Sequence, residues 1–138
     1  MRFCSASDAA AAIPDGATVL VDGSGGGVNE PGAVLHAIRE RFEVAASPAG
    51  ITLLHVSGMG SGHEDGIDYL AARGLVHRVI GGHWSWGRQM QELAADEAIQ
   101  AYCLPQGTIS HLLRDIAAAR PGHLSRVGLG TFIDPRIS

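Results

Sequence analysis

Two rhythms of apolar residues alternate along the chain. Short β-branched and apolar runs at 18–21, 51–56, 75–80 and 99–103 have the length and composition of buried strands. Between them, apolar residues return every three or four positions, as in Ala33, Val34, Leu35, Ile38 and Phe42, which predicts a helix entered at Pro31. Further helices are expected at 67–72, 88–95 and 108–119. A capped short helix is expected from Ser5 to near Ile13, and a fifth strand over 127–132. Glycine and proline punctuate the junctions: Pro14-Asp15-Gly16, Gly81-Gly82, Pro105-Gln106-Gly107 and Pro121-Gly122. Strands alternating with helices predict an α/β fold with an open, mostly parallel sheet flanked by helices. In such sheets ligands bind beyond the carboxyl ends of the strands. Three loops belong there, at 23–29, 81–87 and 104–107, so their chemistry should meet on one edge.

Length and charge narrow the function classes. With 138 residues and 46% hydrophobic content, residues 1–138 are expected to form a single domain with a real core. Ten basic against fourteen acidic residues, with no Lys/Arg cluster, argue against a nucleic-acid or membrane-surface partner. No apolar run spans a bilayer and no signal peptide is legible, so a cytoplasmic protein is the default expectation. Cys4 and Cys103 are too few and too far apart for a disulfide framework.

The stretch from Thr18 to Phe42 organises the chain: strand, glycine loop, helix. Asp22-Gly23-Ser24-Gly25-Gly26-Gly27 strips side chains from the turn. Exposed amides there suit a carboxylate, a phosphate or an oxyanion, although sharp βα turns are also glycine-rich for geometry alone. The dinucleotide fingerprint fails because Val28 stands where a glycine or alanine is needed, and the phosphate loop fails for want of a lysine. Seven histidines show neither the spacing nor the Cys/His clustering of a zinc site, so no metal is expected. A Ser-His-Asp hydrolase lacks its G-x-S-x-G turn. Cys103, at a strand end, reads as a small buried hydrophobe in preference to a reactive thiol. In His83-Trp84-Ser85-Trp86 the indoles either cap the sheet or wall a ligand channel. Pro105-Gln106-Gly107-Thr108 puts an amide side chain at a strand end that opens a helix. That amide can donate to a developing oxyanion; a plain helix-entry turn is the simpler reading.

Taken in order, several segments resemble family I coenzyme A transferases, nearest the acetate/propionate branch. They are Ile13-Pro14-Asp15-Gly16, Gly25-Gly26-Gly27, Gly81-Gly82-His83-Trp84, Leu104-Pro105-Gln106-Gly107, the run from Ile109 to Asp115, and the run from Gly128 to Arg136. The resemblance covers almost the whole chain. It implies a fold like that of sugar-phosphate isomerases and an enzyme that moves CoA from an acyl-CoA to a free carboxylate through a glutamyl-CoA intermediate. It implies a CoA thioester as substrate and no other cofactor. Gly25, Gly26, Gly27, His83 and Trp84 would contact substrate, and Gln106 would be the oxyanion donor. The family's nucleophilic glutamate belongs to a second half, and Glu30, Glu64, Glu92 and Glu97 do not match its motif. The chain is therefore expected to be the N-terminal part of the first half, inactive alone, with the missing half as partner and a homo-oligomer as the assembly. The rival expectation is a non-catalytic ligand-binding or assembly domain of the same fold, and a sugar-phosphate isomerase relative is a weaker third.

Overall fold

The structure is a computed structural model that describes residues 3–23 and 28–137. A short helix, α1 (Ala6–Ala11), starts the fold. Ser5 and Asp8 form a reciprocal capping box, each side chain accepting from the other's backbone N–H. Strand β1 (Thr18–Val21) leads to helix α2 (Gly32–Ala45) and strand β2 (Ile51–His55). A short 3₁₀ helix (Gly66–Leu70), strand β3 (Val76–Gly81), helix α3 (Arg88–Ala95), strand β4 (Gln100–Cys103) and helix α4 (Gln106–Ala117) follow. The four strands are parallel and lie side by side in chain order. The expected α/β architecture is therefore present. The expected strand over 127–132 is not: that segment is a run of turns. Gly128 and Gly130 adopt left-handed φ angles of +97° and +78°, which an extended strand cannot include.

Side-chain alternation assigns the two faces. Val19, Val21, Ile51, Leu53, Val76 and Val79 point one way and share a core with Leu35 and Ile38 of α2, Ile67 and Leu70 of the 3₁₀ helix, and Met90 of α3. Consecutive strands joined by crossovers of one hand place these helices together on that face. The other face carries Leu20, Leu54, Ile80 and Tyr102 in lateral register across all four strands. On it Leu20, Asp22 and Val56 line a hollow with Ser110 and Leu113 of α4, and Leu54 is buried. Leu20 and Tyr102 stay half exposed, at 49% and 48%. All of β4 is exposed as well, which makes it the bare edge of the sheet.

Candidate functional site

The strand register sets Val21, His55, Gly81 and Cys103 in one row across the outgoing end of the sheet, so the loops that follow emerge on one edge. Two are tied directly: the Glu30 carboxylate accepts from the Gly60 N–H at 2.7 Å. Two others meet at Gly82. A Cβ there would lie 2.5 Å from Cγ of Gln106 and would overlap the Val56 carbonyl, so only glycine lets the three segments close up. Gln106 thus sits where the sequence pattern places it, at the N-terminus of α4. It is exposed, and its carboxamide makes no hydrogen bond among the described residues.

His83, one residue beyond Gly82, lies over Gly58, accepts or donates a hydrogen bond at Ser85 Oγ, and packs edge-on against Trp86 with ring centroids 5.4 Å apart. Trp84 turns inward against the core. The two indoles differ in burial: Trp84 packs at the sheet end, and Trp86 stays partly exposed beside His83. Gln106, His83 and Trp84 are brought to one sheet edge. Gly25, Gly26 and Gly27 lie outside the described residues. Cys103 corrects an expectation. It is exposed, because among the described residues no further strand pairs with β4 to bury it.

Sequence reasoning missed His55. It is fully buried at the end of β2, and its ring fills the space a side chain at Gly81 would need. Burial, more than its nearness to His83, pushes its pKa below the ordinary 6.5, so the ring is neutral. Nδ1 lies 2.8 Å from the Ser57 carbonyl and must carry the proton to donate to it. That leaves Nε2 as a bare acceptor. It and the indole Nε1 of Trp84 are buried without a partner among the described residues, with ring centroids 6.1 Å apart. A histidine in an apolar strand carries no sequence signal that separates it from the core; only the His55–Gly81 pairing across strands shows its place.

A larger, polar cavity of about 530 Å³ opens between Gly62, His63 and Glu64 and the start of α3. Its buried acid, Asp68, is already committed. Both carboxylate oxygens accept from the Gln89 and Met90 amides and cap α3 from another element, while burial pushes its pKa up. Arg88 and Glu92 pair with each other across its rim. Among the described residues no group of three or more His, Cys, Asp or Glu is placed to hold a metal ion. The four glutamates sit elsewhere in the hydrogen-bond pattern: Glu30 serves Gly60, Glu64 and Glu92 line the polar cavity, and Glu97 occupies a left-handed turn. The edge at Gln106 offers uncharged donors, suited to steadying negative charge and not to forming a covalent bond.

The turn after α4 is built around a second acid. Asp134, buried, accepts from the Gly130 and Arg136 amides and from the Arg136 guanidinium at 2.6 and 2.8 Å. The Arg136 side chain holds its carboxyl well below the usual carboxylate range. This closed loop holds residues 128–136 together beside β4.

Comparison with known proteins follows the same lines. The family described as Coenzyme A transferase matches residues 3–138. The acetate CoA-transferase YdiF of Escherichia coli K12 is 39% identical over 132 residues, covering 96% of this chain and 25% of that protein. The caffeate CoA-transferase of Acetobacterium woodii is 43% identical over 136 residues, covering 99% of this chain and 26% of its own length. The crystal structure of the acyl-CoA transferase YdiF of E. coli O157:H7, in a thioester complex with CoA, superposes with a TM-score of 0.92 at 38% identity. That match covers 96% of this chain and 27% of the other. The chain spans about a quarter of the length of the relatives it matches.

Proposed function

The chain belongs to the coenzyme A transferase family, and from that premise we propose that it is the N-terminal part of a short-chain acyl-CoA:carboxylate CoA-transferase of the acetate/propionate type. In this reading a glutamate supplied from outside the chain attacks the thioester carbonyl. The C–S bond breaks, CoA leaves as thiolate, and an acyl-glutamyl anhydride forms. The thiolate then attacks the glutamyl carbonyl and displaces the carboxylate, leaving a glutamyl-CoA thioester; a second carboxylate reverses the sequence. Each attack puts negative charge on an oxygen. Gln106 Nε2–H, on the side chain whose Cγ packs at Gly82, is the donor assigned to it here, with the amides of Gly25, Gly26 and Gly27 as further donors and His83 and Trp84 at the border of the substrate. CoA enters as substrate, and no further cofactor is invoked. The remainder of the transferase is the partner, a homo-oligomer the assembly, and the cytoplasm the compartment; alone the chain is inactive.

The observation that carries the reading is the approach of Gln106 to Gly82 at the outgoing strand edge, within a chain matched by the family from end to end. The test is CoA transfer from acetyl-CoA to propionate by the polypeptide completed with the remaining length of the transferase. Gln106→Ala should slow turnover by about ten- to a thousandfold, as loss of one oxyanion donor does. Unchanged turnover removes Gln106 from the site, and no transfer at all by the completed polypeptide removes the reading.

A further inference from the structure

We infer that the cavity between the outgoing end of β4 and the turn at 127–133 receives the hydrocarbon part of the acyl group, an inference that rests on the transferase reading above. The cavity measures about 310 Å³ and is lined by Cys103, Leu104, Pro105, Val127, Phe132 and Ile133, with Gly82 at its inner wall. That volume is at the small end of ligand pockets. No charged side chain lines it. Thr131, its one hydroxyl, is spent on the Gly128 carbonyl at 2.6 Å, and the Asp134 charge is neutralised within the turn by Arg136. A carboxylate or a phosphate would lose its water there without compensation; an alkyl chain would not.

Position decides the occupant. Gly82 lines this cavity and is also the glycine over which Gln106 packs, and Pro105, next to Gln106, forms another wall. An acyl thioester is polar at its carbonyl and apolar along its chain. With the carbonyl oxygen at the Gln106 amide, the chain has an apolar recess immediately beside it. Residues 127–133, which the sequence pattern assigns to a strand, thereby become a wall of the acyl subsite.

Cys103 makes the inference measurable, because it is an exposed thiol inside the cavity, while Cys4, the other exposed thiol, lies before α1. Alkylation of the completed polypeptide by N-ethylmaleimide is followed at each cysteine by mass spectrometry, with hexanoyl-CoA, acetyl-CoA or desulfo-CoA, which has no thiol to consume the reagent, present. Hexanoyl-CoA should slow alkylation of Cys103 by roughly fivefold when present at several times its dissociation constant, with desulfo-CoA doing much less and Cys4 unchanged. Val127→Trp, at a position 62% exposed, should fill the cavity and abolish the difference. Equal protection by desulfo-CoA and hexanoyl-CoA, no protection by either, or protection that survives Val127→Trp overturns the assignment. CoA transfer by the completed polypeptide then still stands on its own measurement, so the two readings fail separately.

Discussion

The closest packing at the outgoing edge is between His55 and Gly81, and it makes a quantitative prediction. The two are opposite each other in the β2–β3 ladder, and the buried imidazole lies where a side chain at position 81 would project. Gly81→Ala drives a methyl group into that ring. The ring cannot swing away, because Nδ1 is held by the Ser57 carbonyl and no part of it reaches solvent. Overpacking of this kind costs about 1–3 kcal/mol. His55→Ala removes the ring and its hydrogen bond, at about 2–4 kcal/mol for the cavity and the lost contact. In the double variant the methyl group occupies space the ring has vacated, so the penalties should not add. The expected coupling is about 1–3 kcal/mol in favour of the pair. Urea unfolding of the chain and its three variants, read by far-ultraviolet circular dichroism with the denaturant slopes compared, measures it. Additivity within about 0.5 kcal/mol would refute the claim that the histidine dictates the glycine.

Other outcomes follow from the same geometry. Because the unfolded chain takes up a proton at His55 near the ordinary pKa of 6.5 and the folded chain resists it, stability should be full above that value and fall as pH drops below it. The contribution from His55 has a slope of at most about 1.4 kcal/mol per pH unit, and His55→Leu should flatten the profile between pH 5 and 6.5. Asp68→Ala leaves the Gln89 and Met90 amides without their cap and should cost about 1–2 kcal/mol, seen as faster amide exchange confined to the first turn of α3. Asp134→Ala should open the 128–136 turn, with limited proteolysis there faster by on the order of tenfold and β1–β3 unaffected.

The strands were legible because a buried parallel sheet demands continuous apolar runs, and Thr18–Val21 and Ile51–His55 supply them. The capped helix opening at Ser5 was equally plain, and the structure adds that Asp8 closes a capping box with it. The apolar residues of 127–132 misled for a physical reason. Val127 and Phe132 are 62% and 76% exposed, and the segment is shaped by Asp134 with its partners Gly130 and Arg136 and not by burial. The sequence marks Gln106 by its odd chemistry between proline and glycine, whereas His55 and Cys103 depend on facts that live between strands. The ring is buried because Gly81 makes room for it, and the thiol is exposed because no further strand among the described residues pairs with β4.

The bare face and bare edge bear on the same question as the absent glutamate. A parallel sheet is stable when helices cover both faces, yet in the row from Leu20 through Leu54 and Ile80 to Tyr102 Leu54 is buried while Leu20 and Tyr102, at its two ends, stay half exposed. Arg78, Ile80, Tyr102 and Leu104 border an open hollow on that face. On the proposed reading, the three-quarters of a transferase that this chain does not span must meet two needs: an apolar layer for this face, and an acidic nucleophile for the edge that Gln106 lines. One packing event can meet both, because Leu104 borders the bare hollow and the acyl cavity alike, and Gln106 stands two residues beyond it. Folding of the missing part against the sheet would then complete the site at the moment it completes the core.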